Sequence, residues 1–149
     1  MARFIGRDEV QARELLAAIG CMIVAEDAAD RQVLLEEWLD ADSRFDRGDL
    51  VVDPPAAGSE FDAFGAWHVN NNNEFHSITR GEGLLEFWTS DGIVSVVLGP
   101  GDIMANKAGV EHRYLPLANQ AWIVRIGGGA DAELIATNTG REDTPFVTL

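Results

Sequence analysis

The sequence has one cysteine, few basic residues and no long hydrophobic run. Because Cys21 has no second cysteine to pair with, no disulfide can form within the chain, which is typical of a reducing compartment. No stretch approaches the roughly 18 apolar residues of a membrane-spanning helix. Residues 1–9 also lack the apolar core of a secretion signal. We therefore expect a cytoplasmic protein without a membrane partner.

The scarcity of basic residues excludes a further class of partner. The chain has 11 Lys and Arg against 25 Asp and Glu, a formal net charge of −14 and a pI near 4.4. A nucleic-acid-binding protein needs a basic surface that displaces counterions from phosphates, so we expect no nucleic-acid partner. We expect Glu82, Glu86 and Glu111 to be solvated.

The first forty residues carry the signals of two helices. Asp8 can cap a helix N-terminus, with Gln11 three residues later, and Gly20 is a typical C-terminal cap. A second helix is expected from about Asp27 or Asp30. The expected apolar faces consist of Leu15, Leu16 and Ile19 in the first helix and Leu34, Leu35, Trp38 and Leu39 in the second.

After about residue 44 the pattern changes to short β-rich segments separated by Gly, Asn, Asp and Pro. Such segments at close spacing are typical of an antiparallel sandwich or barrel. The turn Ser90-Asp91-Gly92 favours a hairpin. The predicted strands cover 21–25, 64–70, 74–80, 84–89, 93–98, 103–105, 111–115, 122–126 and 134–136. We expect one domain over 1–149, with a helical N-terminal extension at about 7–40 and a barrel at about 49–136.

All three histidines of the chain fall in the β-rich part. Side chains alternate faces along a strand, so His68 shares a face with Asn70, and Glu74 shares a face with His76. If the two strands are neighbours, these four polar side chains meet inside the barrel. Because burying imidazole and carboxylate groups without partners is unfavourable, the pattern indicates either hydrogen-bonded pairs or a metal site.

Two segments resemble the two sequence motifs of the cupins. The first motif, H-x-H-x(3,4)-E-x(6)-G, is matched in spacing by His68, Glu74 and Gly81. The second motif, G-x(5)-P-x-G-x(2)-H-x(3)-N, is matched by Gly101, Gly109 and His112. The departures are Asn70 for the second histidine, Lys107 for the proline and Pro116 for the final asparagine.

Within the cupins, the sequence is most similar to the acireductone dioxygenases. The similar features are AAIG at the end of the first helix, the turn Gly81-Glu82-Gly83, GPGD before the second motif and GVEHRY around its histidine. The likeness covers roughly residues 62–126 and extends more weakly to the N-terminus. It implies an all-β cupin fold, a jelly-roll or double-stranded β-helix barrel, here with two N-terminal helices.

The cupin resemblance also implies one divalent transition metal, Fe, Ni, Zn or Co, held by His68, Glu74 and His112. The acireductone dioxygenases resemble this set but hold their metal with three histidines and one glutamate, and Asn70 stands in place of one of those histidines. The remaining set is similar to the His, Glu, His set of 3-hydroxyanthranilate dioxygenases. Two imidazoles and one carboxylate suit non-haem Fe(II) and leave positions for a substrate and O₂.

Five further residues are candidates for parts of the site. We expect Asn70 to support the ligands or to bind substrate, because an amide is a poor ligand for a soft transition metal. His76 is a candidate fourth ligand or general base, and a packed barrel residue is an equal alternative. Arg80 and Arg125 are candidate partners of a substrate carboxylate, and Tyr114 is expected beside the ligands or in the barrel core.

Three functions are compatible with such a site. The first is an Fe(II)- or Ni(II)-dependent dioxygenase of a small oxygenated metabolite. The second is a non-redox isomerase or epimerase of a small carbonyl compound, amino acid or keto acid, in which the metal acts as a Lewis acid. The third is a ligand-binding cupin without catalysis. All three imply a small-molecule partner, and exposed barrel strands would allow a homodimer.

Overall fold

The computed structural model describes residues 2–25, 46–52, 65–117, 120–127, 133, 135–142 and 144–149, with backbone alone at 46–52 and 120–125. The second predicted helix, from Asp27 or Asp30 to Leu39, lies outside these ranges. No helix in the described part of the chain is long and apolar enough to cross a membrane.

The first predicted helix is confirmed as α1, Glu9–Ile19. The Asp8 side chain accepts a hydrogen bond of 3.1 Å from the Gln11 backbone N–H, as expected of an N-terminal cap. Gly20 ends the helix in the left-handed conformation with φ of 90°. Ala12 and Leu16 are buried in the main hydrophobic cluster, so the apolar face of α1 covers part of the β-structure.

The described ranges otherwise consist of eleven short strands. They are β1 Arg3–Ile5, β2 Cys21–Ala25, β3 Asp46–Val52, β4 His68–Asn70, β5 Glu74–Arg80, β6 Gly83–Thr89, β7 Gly92–Leu98, β8 Asp102–Asn106, β9 His112–Pro116, β10 Gln120–Ile126 and β11 Ala136–Asn138. The all-β prediction is therefore confirmed.

Several strands differ from the sequence prediction, and β4 begins at His68 and not at residue 64. β1 lies in a region expected to be helical or irregular, and its three residues are too few to show a period. β3 begins with Asp46, Arg47 and Gly48, which have low strand propensity, and it owes its place to pairing with β10. β11 begins at Ala136, where the predicted strand 134–136 ends.

The strands form two antiparallel sheets. One has the order β1-β7-β6-β9-β4-β11 and the other β2-β8-β5-β10-β3. The predicted turn Ser90-Asp91-Gly92 joins β6 to β7, and Gly92 adopts φ of 85° there. Because consecutive strands of the chain fall in different sheets at several points, residues far apart in sequence meet between the two layers.

The hydrophobic core lies between the sheets and under α1. Alternation along β6 directs Leu85 and Phe87 into this core, together with Val94 and Val96 of β7. These four side chains are at most 2% exposed. Phe87 also stacks against the ring of His112, with ring centroids 5.9 Å apart, so this core adjoins the polar residues described next.

Candidate metal centre

The two sheets bring the predicted ligands together from opposite sides. His68 of β4 and His112 of β9 are direct partners in the six-stranded sheet. Glu74 and His76 lie on β5 in the five-stranded sheet. All four are buried, between 1% and 7% exposed. The convergence predicted from strand alternation is therefore present, although it arises across two sheets and not from adjacent strands.

Backbone contacts fix the ring orientation of His68 and His112. The Nδ1 atom of His68 lies 2.8 Å from the Ala66 carbonyl oxygen, and that of His112 lies 2.8 Å from the Val110 carbonyl oxygen. A carbonyl oxygen only accepts, so each Nδ1 carries the hydrogen. In the neutral ring Nε2 then holds the lone pair, which is the tautomer and backing hydrogen bond typical of metal-ligating histidines.

The Glu74 carboxylate is the centre of a buried hydrogen-bond network. Its Oε1 accepts from Asn70 Nδ2 at 2.5 Å and from Asn106 Nδ2 at 3.0 Å, and its Oε2 is 2.8 Å from His76 Nε2. Burial by itself raises the pKa of Glu74, but the charges of His76 and His112 and the hydrogen bonds from His76 and Asn106 outweigh it and lower the pKa to about 2. Glu74 is therefore ionised at neutral pH.

His112 is held neutral by its surroundings. Burial is the largest cause, and together with the nearby His68 and His76 it outweighs the attraction of Glu74 and lowers the pKa of His112 to about 4. Its Nε2 lies 3.4 Å from Glu74 Oε1. Two ligands about 2.0–2.2 Å from one tetrahedral ion are separated by roughly 3.3–3.6 Å. The spacing of these two donors therefore suits a shared metal ion.

The imidazole and carboxylate groups suit a divalent transition metal. In the structure, however, hydrogen bonds satisfy these groups. As they stand, the described residues contain no group of three His, Cys, Asp or Glu side chains that could hold a metal ion. The Asn70 amide instead contacts both Glu74 Oε1 and His112 Nε2. The ligand set His68, Glu74 and His112 thus stays a proposal.

The asparagine run after β4 anchors the turn that precedes His112. The backbone N–H of Gly109 donates to the Asn70 carbonyl at 3.0 Å, and that of Ala108 donates to Asn73 Oδ1 at 2.7 Å. Gly109 adopts φ of 84°, a conformation that residues with a Cβ rarely take, which explains the glycine in the second motif. The two motifs are therefore physically joined.

Tyr114 is placed on the same face of β9 as His112, as alternation predicts. It is 4% exposed and belongs to the main hydrophobic cluster, opposite Leu85. Burial strongly raises the pKa of its hydroxyl. Tyr114 is thus a core residue of the layer beside the site.

The backbone register of β5 and β10 locates the two predicted arginines. Arg80 is exposed at the end of β5, beyond a register shift between β5 and β10, so alternation from Glu74 no longer assigns its face. Arg125 lies in β10 at the position opposite Phe75, whereas Glu74 is opposite Ile126. The register therefore places Arg125 one row away from the Glu74 row.

Sequence reasoning missed Asn106. It lies at the end of β8, directly opposite Glu74 on one side and Cys21 on the other. Asn106 is 1% exposed, and its Oδ1 has no hydrogen-bond partner among the described residues. The motif spacing marks the position only as one of five unspecified residues, so the pairing with Glu74 becomes visible only once the strand register is known.

The outer face of the six-stranded sheet contains a buried ion pair, which corrects the expectation that Glu86 is solvated. Arg113 Nε and Nη2 donate to Glu86 Oε1 at 3.0 and 2.6 Å, and Ser95 Oγ donates to Glu86 Oε2 at 2.5 Å. Arg113 and Glu86 are each 1% exposed. An extended C-terminal segment covers them, because Arg113 also donates to the carbonyls of Thr144 and Pro145.

Comparisons with known proteins give matches in structure but not in sequence. No protein-family model matches the chain, and no curated protein matches it. Among solved structures, the acireductone dioxygenase from Bacillus anthracis with a cadmium ion in its active centre aligns with a TM-score of 0.59 and 16% identity, over 87% of this chain and 93% of that one. The oxalate decarboxylase from Bacillus subtilis at pH 4.6 aligns with a TM-score of 0.51 and 13% identity.

The second alignment covers 80% of this chain but only 27% of the decarboxylase. Likeness at such low identity establishes the fold alone. Together with the two antiparallel sheets and the positions of both motifs on facing strands, it confirms the architecture expected from the sequence. The chain has the fold of the cupins.

Proposed function

We propose that the protein is a metal-dependent enzyme that acts on a small molecule, with His68, Glu74 and His112 as the ligands of one divalent metal. The observation that carries the proposal is the orientation of the two histidines, each with Nδ1 on a backbone carbonyl at 2.8 Å. With Nδ1 engaged in this way, Nε2 is the atom of each ring that would bind a metal, beside a buried, ionised carboxylate. The structurally similar acireductone dioxygenase has a cadmium ion in its active centre, which supports a metal-dependent function on this fold.

Our first candidate reaction is dioxygenation of a small oxygenated metabolite such as an enediol, a catechol or an α-keto acid. A redox-active ion bound by two imidazoles and one carboxylate supplies open positions for substrate and O₂. Asn106 donates to Glu74 Oε1 at 3.0 Å and holds the carboxylate in place. The apolar neighbours of the site, which include Phe87 with its ring centroid 5.9 Å from that of His112, exclude water from the reacting groups.

A second candidate, a non-redox isomerase or epimerase, is favoured by the contact between His76 and Glu74. His76 Nε2 lies 2.8 Å from Glu74 Oε2, and because the carboxylate is ionised the imidazole donates the hydrogen. A carboxylate and an imidazole in this arrangement can take a proton from one carbon and return it to the next. The same bond occupies His76 Nε2, which favours a proton-transfer role for His76 over that of a fourth ligand.

Two assays on one preparation distinguish the candidates. The protein is loaded anaerobically with Fe(II) or, separately, with Zn(II), and offered a panel of enediols, catechols and α-keto acids, with His112→Ala as the matched control. Oxygen uptake that requires Fe(II) and is lost in the control supports the dioxygenase. Deuterium incorporation from D₂O at a substrate α-carbon, without oxygen uptake, supports the isomerase. Saturable binding of a panel compound with neither reaction would contradict both and leave a binding protein.

A further inference from the structure

The amide of Asn70 contacts two of the proposed metal ligands. Its Nδ2 is 2.5 Å from Glu74 Oε1 and 3.5 Å from His112 Nε2, and those two acceptors are themselves 3.4 Å apart. Asn70 is 6% exposed and comes from β4, while Glu74 lies on the facing sheet. The amide group therefore bridges the two sheets at the point where the ligands converge.

The amide uses the same lone pairs that a metal ion would use. Both acceptors present lone pairs, because His112 carries its hydrogen on Nδ1 and Glu74 Oε1 also accepts a hydrogen bond from Asn106. An amide nitrogen has two hydrogens, which can be directed at two acceptors. The contact to Glu74 Oε1 is the closer of the two, and the 3.5 Å contact to His112 is at the outer limit of a hydrogen bond. A histidine at position 70, as the first cupin motif has, could not donate to both acceptors through one nitrogen.

We propose that Asn70 is an amide latch, which satisfies Glu74 and His112 in the metal-free protein and must rotate away before a metal binds. The proposal rests on the proposed metal-binding function. It makes Asn70 a positioning residue that competes with the metal for Glu74 and His112. Its consequence is a site that is stable without metal and binds metal more weakly than the same site without the latch.

A purely structural asparagine would behave differently. If Asn70 only supported the ligands, or if its Oδ1 became a ligand itself, removing the side chain would weaken metal binding or leave it unchanged. If Asn70 competes with the metal, its removal deprives only the metal-free state of a hydrogen bond to a charged group. Such bonds change an equilibrium by roughly tenfold or more. The sign of the change in metal affinity therefore separates the two roles.

The test is a Co(II) titration of the wild-type protein, Asn70→Ala and Asn70→Asp, followed by calorimetry and by the visible absorption of bound Co(II). We expect Asn70→Ala to bind Co(II) about tenfold or more tightly than wild type. Asn70→Asp, which cannot donate and adds a carboxylate, should have a lower unfolding temperature without metal and a larger rise in that temperature with Co(II) than wild type. Asn72→Ala, which removes a 3.0 Å bond to the Glu133 carbonyl, is the matched control and should bind as wild type does.

The outcomes separate the latch from the function on which it rests. The latch is supported if both variants bind Co(II) more tightly than wild type does. It is also supported if both variants bind Co(II) and wild type does not. Measurable binding by wild type with equal or weaker binding by Asn70→Ala overturns the latch and leaves the proposed function intact. Absence of Co(II) binding in all three folded proteins overturns both. If Asn70→Ala does not fold, the test is the rise in the unfolding temperature of Asn70→Asp when Co(II) is added. A rise no larger than that of wild type overturns the latch.

Discussion

Mild acid should destabilise the metal-free protein before its carboxylates begin to titrate, and His112 is the reason. The folded state lowers the pKa of His112 from 6.5 to about 4, chiefly through burial. Between these two values the unfolded chain binds a proton that the folded protein does not. Stability is therefore fully present above pH 6.5 and decreases as the pH falls toward 4.

The magnitude follows from the two pKa values. Because protonation is linked to folding, the contribution of His112 to the free energy of unfolding falls by about 2 kcal/mol between pH 7 and pH 5. Between pH 7 and pH 4 it falls by about 3 kcal/mol. Glu74 behaves differently, because its pKa is lowered to about 2 from 4.5. Its contribution is present above pH 4.5 and is lost only as the pH falls below that value toward 2. Measurements at pH 7 and pH 5 thus separate the contribution of His112 from that of Glu74.

The assay is urea unfolding of the protein in excess chelator at pH 7 and pH 5, for wild type and for His112→Gln. The variant lowers stability at both pH values, so the informative quantity is the difference between the two pH dependences. We expect wild type to lose about 2 kcal/mol more than the variant between pH 7 and pH 5. Equal losses in the two proteins, or a smaller loss in wild type, would refute the assignment of a buried neutral His112.

Three further predictions concern the scaffold. Arg113→Ala leaves Glu86 buried and without its counter-charge, and should lower the free energy of unfolding by about 3–5 kcal/mol. Arg141→Ala removes a partly exposed pair with Glu111 and should lower the free energy of unfolding by less than about 1 kcal/mol. Equal effects in urea titrations would contradict the buried pair. Gly20→Ala places a Cβ at φ of 90° and 3.3 Å from Lys107 Cβ, so the unfolding temperature should fall; an unchanged temperature would argue against this cap. Cys21 is 1% exposed and burial raises its thiol pKa, so a thiol reagent should label it only in urea, and rapid labelling of the native protein would be inconsistent with its burial.

Much of the candidate site could be predicted because it depends on local alternation and fixed spacing. The spacing of His68, Glu74 and His112 follows the two motifs, and the period of a strand assigns each side chain to a face. The structure places all three inside, at 1% to 4% exposure. The capped helix α1 and the hairpin at Gly92 were likewise predictable, since caps and tight turns have their signals within a few residues.

The features that escaped prediction all depend on pairing between distant segments. Asn106 contacts Glu74 across the β5–β8 register, which no local pattern specifies. Glu86 has the sequence context of a solvated glutamate, and its burial requires both Arg113, 27 positions later, and the C-terminal segment beyond Thr144. The roles of Asn70 also could not be separated from sequence, because they depend on distances of a few tenths of an ångström.

The most direct test of the proposed metal centre is a measurement of metal content. The protein is purified without an affinity tag, equilibrated with one equivalent each of Fe(II), Ni(II), Zn(II) and Co(II) under anaerobic conditions, desalted and analysed by elemental analysis alongside His112→Ala and Glu74→Gln. We expect about one metal ion per chain in the wild-type protein and a clear loss in both variants. A wild-type protein that retains no metal, or variants that retain as much as wild type, would contradict a centre built from His68, Glu74 and His112.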